Sequence, residues 1–438
     1  MLSSFKGGIH PGQFKQATAD LPTRPALPPA RVAILMQQHI GAPCEPLVSA
    51  GDKVKVGQKV GESKGFVSAP VHASVSGEVV EIRESPHPGG KPAKAVIIES
   101  DGLFELHEEV KPKPDLESLS PDDLRHIIRE AGIVGMGGAT FPTHVKLSPP
   151  PDKPIDTVII NGAECEPFLT ADQRLMLERP EAIIFGLKVF LKILGLKKGF
   201  IGVEDNKPAC IEALKETAQG DAAVEVCSLK TKYPQGSEKQ LIKVITGREV
   251  PPGGLPMDVG ALVQNTGTAV AVADAVQKGL PTIERIVTVT GPGVVSPANL
   301  LVRVGTMVAE LVEQCGGLKD NARKIILGGP MMGLAQAGMD LPVIKGTSGI
   351  LVLTDKEVAM HGIKACIRCG RCVEACPMYL LPNMIGSAME KGLLDKAEAF
   401  YATDCIECGC CSYVCPSKRP LTQWIRTAKA EILAKKRS

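Results

Sequence analysis

Aromatic residues are scarce in this chain. They make up 3% of its 438 residues, so the stacked aromatic platforms that bind single-stranded nucleic acids are not expected. An excess of one charge is lacking as well, because 50 Lys and Arg residues nearly balance 48 Asp and Glu residues. Since nucleic acid phosphates require a concentrated basic face, we predict that nucleic acid is not a partner.

Long hydrophobic runs are also missing. No segment contains the ~18 uninterrupted apolar residues of a membrane-spanning helix, and four lysines interrupt the most apolar stretch, residues 182–203. The first residues, MLSSFKGGIHPGQFK, lack the apolar core of a secretory signal. The sequence thus predicts a protein that is made and kept in the cytoplasm, and it leaves docking on a membrane partner open.

Cysteine is abundant and unevenly distributed. Nine of the 14 cysteines lie between residues 366 and 415. In a reducing compartment such crowding favours metal ligation over disulfide bonds. The isolated cysteines are predicted to be mostly buried thiols of the core: Cys44, Cys165, Cys210, Cys227 and Cys315.

Two copies of the motif C-x2-C-x2-C-x3-C-P occupy residues 366–377 and 405–416. In this motif three thiolates bind one 4Fe–4S cluster and the fourth binds the other. A zinc site needs a single set of four ligands, which two such runs exceed. Cys410 lies off the register and is predicted to be a packed free thiol. The predicted ligands are Cys366, Cys369, Cys372 and Cys415 for cluster one, and Cys405, Cys408, Cys411 and Cys376 for cluster two.

The cysteine-rich part is predicted to be helical. Leu393, Leu394, Ala397 and Phe400 recur at helical spacing between the two motifs. A last helix is predicted from Thr422 to Lys435. Its basic end, KKRS, suits the helix dipole, and we favour this interpretation over partner docking.

Strands and helices alternate in the middle of the chain, after a polar linker over residues 113–120. Ser120 and Pro121, followed by two aspartates, are typical of a helix start. The alternation predicts a mostly parallel sheet with helices on both faces. The predicted strands cover residues 156–162, 198–204 and 222–229, and the predicted helices residues 180–195 and 207–218.

Three loops of this region have features of ligand-binding loops. GMGGATFPTHVK, residues 135–146, combines glycines whose backbone can approach a phosphate with a lysine. AECEPF follows the strand 156–162 at its carboxyl end, where open α/β sheets bind ligands. Gly236 and Ser237 begin another helix, whose N-terminus can bind an anion.

GMGGATFPTHVK, NGAECEP, YPQGSEKQL and VQNTGT resemble the flavin and NADH loops of the flavoprotein subunit of respiratory complex I, over about the central third of the chain. The resemblance implies that the glycine loop and its lysine hold the phosphates of FMN and of the nicotinamide nucleotide. It implies that Glu164 and Glu166 shape the nucleotide pocket. Two departures could change nucleotide affinity and the flavin environment: Cys165 replaces the family's serine, and Met136 its arginine. The implied residues are Gly135, Gly137, Gly138, Ala139, Lys146, Asn161, Ala163, Glu164, Cys165, Glu166, Tyr233, Gly236, Glu238, Asn265, Thr266 and Thr268.

Two further modules flank this region. Residues 42–81 alternate in polarity between turns and resemble the flattened barrel of biotinyl and lipoyl carriers. Lys64 lacks the usual flanks of a carrier lysine, so a structural docking unit is expected, and His72 is expected to be a packed or surface imidazole rather than a metal ligand. Residues 282–350 resemble the soluble-ligand-binding β-grasp module of complex I, in which Met331 and Met332 are predicted to pack.

The order of these modules, with GGIHPGQFK at residues 7–15, is similar to that of the C subunit of the Rnf membrane complex, an NAD–ferredoxin oxidoreductase that moves ions. The expected fold is multidomain α/β and α+β. The resemblance implies a translocase subunit that is peripheral on the cytoplasmic side of the inner membrane, uses FMN, NAD(H) and two 4Fe–4S clusters, and binds other subunits, including a ferredoxin-like iron–sulfur subunit. The expected domains are a barrel-sandwich hybrid (1–112), an FMN/NADH-binding α/β domain (113–275), a β-grasp module (276–353) and a helical ferredoxin domain (354–438).

Two other functions remain open. A soluble flavin and iron–sulfur reductase of the cobalamin-reductase type would share this architecture without ion pumping. A relay and docking subunit without nucleotide binding would only pass electrons. In the dehydrogenase interpretation FMN is the natural converter between NAD(H) and one-electron clusters, because a flavin exchanges electrons in pairs or singly.

Overall fold

The computed structural model describes residues 4–358 and 362–436. Within these ranges, no helix combines the length and the apolar character needed to cross a membrane.

Short strands form the N-terminal part, which we call the barrel unit (residues 31–100). Two sheets, of order β2-β8-β7-β4 and β3-β5-β6, enclose a core rich in valine and isoleucine. His72 is buried in the second sheet, which confirms a packed imidazole, and Lys64 is exposed on the connection between β5 and β6. The strands are β1 (Arg24–Pro25), β2 (Arg31–Leu35), β3 (Glu45–Pro46), β4 (Lys53–Val54), β5 (Lys59–Glu62), β6 (Val71–His72), β7 (Gly77–Ser85) and β8 (Ala93–Ser100).

The central unit (residues 116–277) alternates helices and strands, as predicted. The predicted helix start is confirmed, because the Ser120 hydroxyl accepts from the Asp123 N–H while the Asp123 carboxylate accepts from the Ser120 N–H. Its elements are α1 (Pro121–Glu130), α2 (Thr143–Lys146), β9 (Thr157–Asn161), α3 (Ala171–Glu178), α4 (Pro180–Leu194), β10 (Gly199–Glu204), α5 (Pro208–Thr217), β11 (Val224–Leu229), α6 (Glu238–Thr246), β12 (Ala261–Asn265) and α7 (Thr266–Gln277), with 3-10 turns at Leu116–Ser118 and Pro256–Val259.

The central sheet is parallel, in the order β11-β10-β9-β12. Successive residues of a strand face opposite sides. Val158 and Ile160 therefore join the larger core beneath α4, α5 and α7, whereas Ile159 joins the core beneath α6. Helices thus cover both faces, as the sequence predicts. Because β9 and β12 are paired up to their last residues, Asn161 and Asn265 end side by side.

The third part, the β-grasp unit (residues 284–354), is built on a six-stranded sheet of order β1-β14-β13-β17-β15-β16. Strand β1, from near the start of the chain, pairs in parallel with β14 and so belongs to this sheet. The unit's elements are β13 (Glu284–Thr290), β14 (Ala298–Arg303), α8 (Val308–Gln314), β15 (Ala322–Leu327), β16 (Leu334–Gln336) and β17 (Gly349–Thr354).

The cysteine-rich unit (residues 362–436) is helical, as predicted. Its longest helix buries Ile425, Ala428 and Ile432 against the other helices. The basic end predicted for this helix includes Arg437 and Ser438, which lie outside the described residues. The helices are α9 (Arg371–Glu374), α10 (Pro382–Glu390), α11 (Leu394–Ala399), α12 (Cys410–Tyr413) and α13 (Leu421–Lys435), with a 3-10 turn at Ala402–Asp404.

Candidate functional site

The eight predicted cluster ligands surround two small cavities of the cysteine-rich unit. Cys366, Cys369, Cys372 and Cys415 line the first cavity. The second is lined by Cys376, Cys405, Cys408 and Cys411, together with Cys410. Among the described residues, no three His, Cys, Asp or Glu side chains converge on a single ion. Four thiols around a space suit a cubane, and the grouping reproduces the exchange of the fourth cysteine between motifs.

The two motif copies have the same backbone conformation. The residue before the second cysteine is left-handed in both, with φ of 55° at Arg368 and 58° at Glu407. The glycine after that cysteine is left-handed too, at Gly370 and Gly409, and each glycine is followed by a short helix, α9 or α12. These turns allow a short segment to place three thiols around one space.

The cysteines outside the two ligand sets are not all buried. Cys410 is fully buried, which confirms a packed thiol. The same is true of Cys44, Cys210 and Cys315. The prediction is wrong for Cys227 and Cys165, which are partly exposed, because one lies on the edge strand β11 and the other in the loop after β9.

The loops that resemble flavin and NADH loops converge at the carboxyl edge of the central sheet. The Asn161 amide donates to the Gly236 carbonyl at 2.7 Å, and the Gly236 N–H donates to the Cys165 sulfur at 3.2 Å. Lys146 Nζ lies 3.5 Å from the Glu238 carboxylate and donates to the carbonyl of residue 263. The structure therefore brings residues of all four loops to one place.

The glycine loop lies against the start of α7. The Met136 N–H donates to the Thr268 hydroxyl at 2.9 Å, and a Cβ on Gly137 would lie 2.8 Å from the Asn265 amide. Met136, which replaces the family's arginine, is itself buried. Gly137, Gly138 and Ala139 are exposed, and the N–H of Gly135 donates to the Phe141 carbonyl. An exposed glycine backbone beside a lysine suits a phosphate.

Buried polar groups without partners mark the same place. The side-chain amides of Gln235 and Gln264 and the hydroxyl of Thr266 are buried, and they find no hydrogen-bond partner among the described residues. Leaving such groups unpaired is costly, so they are suited to a polar ligand. The residues present therefore fit a flavin nucleotide. Sequence reasoning missed both glutamines, although each is the immediate neighbour of a predicted site residue, Gly236 or Asn265.

The Glu164 side chain is buried and has partners within the chain. Its carboxylate accepts from the N–H groups of Asp172 and Gln173, at the start of α3, at 2.7 and 3.2 Å. The ammonium of Lys15 lies 3.6 Å from this carboxylate and donates to the carbonyls of Glu164 and Leu169. Burial raises the pKa of Glu164 to about 7, although the attraction of Lys15 opposes the shift. A similar buried pair, Lys207 and Glu204, lies beneath the loop, where Lys207 donates to the Ala163 carbonyl at 2.7 Å.

Glu166 joins the central unit to the β-grasp unit. Its carboxylate accepts from the N–H groups of Met331 and Met332 at 3.0 and 2.9 Å, and burial raises its pKa to about 7. Met331 packs as predicted, but Met332 is 45% exposed. The turn contacts Glu166 through the backbone N–H groups of the two methionines, so this contact does not require the Met332 side chain to be buried. Both glutamates thus have partners within the chain, and their expected role in shaping a nucleotide pocket stays a prediction.

Tyr233 connects the loops of the candidate flavin site to the second cysteine motif. Its buried hydroxyl donates to the Cys408 carbonyl at 2.8 Å and lies 3.4 Å from Glu166. The wall of the second cavity is therefore hydrogen-bonded to a loop of the candidate flavin site.

Residues 5–19, which we call the N-terminal strap, run between the central and cysteine-rich units. Ile9 exchanges two backbone hydrogen bonds with Tyr233, and the Gly8 N–H donates to the Ala375 carbonyl at 2.9 Å. A Cβ on Gly7 would lie 2.6 Å from the Cys376 carbonyl oxygen, so this approach requires glycine. Sequence reasoning used this segment only for its resemblance and did not foresee its position.

Family models match the chain in the order of its units. They describe the RnfC barrel sandwich hybrid domain over residues 3–103, the Nuo51 FMN-binding domain over 128–274, the SLBB domain over 286–335 and a 4Fe-4S dicluster domain over 361–416.

Similar proteins extend over nearly the whole chain. The C subunit of the proton-translocating ferredoxin:NAD(+) oxidoreductase complex of Clostridium ljungdahlii is 52% identical, over 98% of this chain and 94% of that protein. The C subunit of the Na(+)-translocating complex of Acetobacterium woodii is 51% identical, over 99% and 98%. The C subunit of the ion-translocating oxidoreductase complex of Rhodobacter capsulatus is 42% identical, over 90% and 76%. The chain belongs to this family of C subunits.

A more distant enzyme shares the fold of this chain. The NAD+-reducing [NiFe]-hydrogenase in its H2-reduced state aligns with a TM-score of 0.50 and 18% identity, over 75% of this chain and 69% of that one; this likeness concerns the fold alone. Family membership confirms the resemblance to the Rnf C subunit and the multidomain mixed α/β architecture. The matched FMN-binding and dicluster domains confirm the predicted FMN and 4Fe–4S cofactors, while the assignment of each ligand residue stays a prediction.

Proposed function

We propose that this chain is the subunit that exchanges electrons with NAD(H) in a membrane complex that couples electron transfer between NAD(H) and ferredoxin to ion translocation. The observation that carries the proposal is the hydrogen bond from Tyr233 to the Cys408 carbonyl. Tyr233 belongs to a loop that resembles a flavin-binding loop, and Cys408 belongs to the wall of the second cysteine cavity. The names of the relatives in C. ljungdahlii and A. woodii support it, since both are subunits of ferredoxin:NAD(+) oxidoreductase complexes.

The residues of the candidate flavin site have separate tasks in this proposal. Bound FMN would supply the conversion between electron pairs and single electrons. Lys146 and the exposed backbone of residues 137–139 hold its phosphate, and the buried amides of Gln235 and Gln264 bind its polar groups. Tyr233 and the N-terminal strap hold the second cavity against this site.

The two cavities differ in their distance from the candidate flavin site. The second cavity, lined by Cys408, lies against Tyr233 of the central unit, and the first, which contains Cys369, is lined by residues of the cysteine-rich unit. We assign cluster two to the cavity beside the flavin site and cluster one to the cavity that communicates with the rest of the complex. The ligand sets and domain limits predicted from the sequence belong to this proposal.

The expected location follows from the substrate and the relatives. NAD(H) is a cytoplasmic substrate, and the relatives are subunits of ion-translocating complexes. The proposal therefore places the chain peripherally on the cytoplasmic side of the inner membrane. Its partners are the other subunits, among them a ferredoxin-like iron–sulfur subunit.

Anaerobic titration with NADH tests the proposed function. The reconstituted full chain is first analysed for iron and flavin, and NADH is then added while the visible absorbance is recorded. Bleaching of both the flavin and the cluster bands is expected. Bleaching by dithionite but not by NADH would instead indicate a relay subunit without nucleotide binding. A Lys146→Met variant should retain less FMN at equal cluster content.

A further inference from the structure

The two cysteine motifs share a backbone but have different surroundings. In the second motif, Ile406 packs against a buried cluster that contains Ile9 and Tyr233 of neighbouring parts of the chain. The equivalent residue of the first motif, Ile367, is 68% exposed. The same contrast holds for the second cysteine of each motif, since Cys408 is buried and Cys369 is exposed. The face that packs against the rest of the chain in the second motif is thus exposed in the first motif.

The two motifs also differ in charge, because the first motif has two arginines where the second has a glutamate and a cysteine. Arg368 stands where the second motif has Glu407, and Arg371 stands where it has the buried Cys410. Glu407 forms ion pairs with Arg426 and Lys429 of α13, at 2.7 and 3.3 Å, and is thereby neutralised within the unit.

The cations around the first motif have no such partners. Arg368 and Arg371 flank the exposed Cys369, and Lys364 lies beside Lys418 because its N–H donates to the carbonyl of the adjacent residue 417. All four cations are exposed, and no carboxylate of the described residues forms an ion pair with them. The first motif therefore presents an apolar centre with a basic rim.

We propose that this surface, which we call the exit face (Lys364, Ile367, Arg368, Arg371 and Lys418), docks an acidic subunit of the membrane complex that carries a one-electron redox centre. The inference rests on the proposed function. An apolar centre with a polar rim is the usual anatomy of a protein interface, and arginine is enriched among residues that dominate binding. A basic rim selects and steers an acidic partner.

The asymmetry between the motifs supports this occupant. The chain already uses the equivalent face of the second motif as a contact with its own central unit. A second contact of the same kind would give the cavity beside Cys369 a neighbour from outside the chain. Exposure of Cys369 lets such a partner approach the first cavity closely, which transfer of single electrons requires.

Carbodiimide cross-linking of the intact complex tests the exit face. This reagent joins lysine amines to carboxylates in contact, so Lys364 and Lys418 should be linked to Asp or Glu residues of another subunit. Lys319 and Lys324, exposed on the β-grasp unit, are the controls and should remain unlinked. Absence of links from both exit-face lysines would overturn the proposal, and so would links that form only when soluble ferredoxin is added.

A charge variant provides the second measurement. Arg368→Gln combined with Arg371→Gln should lower the affinity of the chain for the rest of the complex by about tenfold, measured as release from the immobilised complex with rising salt. The matched control, Lys319→Gln with Arg323→Gln, should bind like the parent chain. Iron content of each variant shows whether the clusters are retained. A charge variant with full iron that binds like the parent chain would refute the proposal.

The docking surface and the proposed reaction can fail separately. If NADH bleaches the flavin and clusters of the isolated chain but the cross-links are absent, only the exit face is wrong. If the cross-links form but NADH bleaches nothing, the proposed reaction fails while the docking surface stands.

Discussion

A buried lysine of the N-terminal strap, Lys15, helps to hold the loop that follows β9. Its ammonium donates to the carbonyls of Glu164 and Leu169 beside the Glu164 carboxylate. Removal of one partner from a buried charged pair costs about 3–5 kcal/mol, because the remaining groups stay buried without compensation. This residue therefore links the start of the chain to the stability of the candidate flavin site.

We expect Lys15→Met to lower the free energy of unfolding by about 3 kcal/mol and to reduce the FMN that is retained on purification. Denaturant unfolding followed by circular dichroism, together with flavin analysis, measures both effects. Lys6→Met, at an exposed position of the same strap, is the matched control and should change neither. Equal stability of the two variants would show that the buried contact is not needed.

A second residue-scale prediction concerns pH. His39 Nε2 accepts from the Ala69 N–H at 3.0 Å, so the folded barrel unit needs the neutral imidazole. Burial, reinforced by nearby Lys345, lowers the pKa of His39 from 6.5 to about 4. The neutral form is thus favoured in the folded state, and the stabilisation is complete above pH 6.5 and lost as the pH falls towards 4.

The pKa difference corresponds to about 3 kcal/mol over this pH window. Urea unfolding at several pH values should show that the parent chain loses about this much more stability between pH 6.5 and 4 than His39→Gln. The comparison removes the contribution of the carboxylates, which titrate in both proteins. Parallel pH profiles for the two proteins would contradict the assignment.

At the scale of elements, helices α4 and α7 are in backbone contact. A Cβ on Gly186 would lie 2.2 Å from the Ala269 carbonyl oxygen and 2.7 Å from its Cα. Helix α7 begins at Thr266, directly after Asn265 of the candidate flavin site. A displacement of α7 would therefore move residues of that site.

Gly186→Ala tests this contact. Alanine is intrinsically better than glycine in a helix by about 1 kcal/mol, but the overlap with backbone atoms should reverse the sign and destabilise the protein by about 1–3 kcal/mol. FMN retention should fall as well. Gly338→Ala is the control, since a Cβ there meets nothing within 4 Å. A Gly186→Ala protein that is as stable as the parent chain would rule out the close packing.

The elements themselves could be predicted from the sequence, because hydrophobic period and turn chemistry are local signals. The helix start at Ser120, the strand that ends at Asn161 and the helix of residues 180–194 all follow from residues close in the chain. The grouping of the cysteines around two cavities, with the fourth cysteine of each motif beside the other motif, could also be predicted, since the motif spacing encodes this exchange.

Contacts between distant segments could not be predicted in this way. The pair of Lys15 with Glu164, the bond from Tyr233 to Cys408 and the pairing of β1 with β14 join residues far apart in sequence. No local periodicity records such contacts. For the same reason, sequence reasoning could assign Glu164 and Glu166 to a nucleotide pocket but could not foresee their partners within the chain.

At the scale of the whole molecule, the two cavities should be separable. Cys369→Ala should reduce the iron content by about half, because one cluster loses a ligand, while FMN and the other cluster remain. Cluster two, which we assign to the cavity beside Tyr233, should still be reduced by NADH, as followed by electron paramagnetic resonance. Cys410→Ala, which removes a packed thiol outside the ligand sets, should retain both clusters. Loss of FMN in Cys369→Ala would contradict the separation of the sites.

The position of the N-terminal strap also has a consequence for biosynthesis. The strap leaves the ribosome well before the cysteine-rich unit, but Gly8 bonds to Ala375 and Gly7 lies against Cys376. At about 5–20 residues per second, the partner of the strap is synthesised only tens of seconds after the strap itself. The strap can pair with Tyr233 and Glu164 earlier, but its contacts with Ala375 and Cys376 form only with the cysteine-rich unit. Closure of the molecule and completion of the second cysteine cavity therefore become late, shared events.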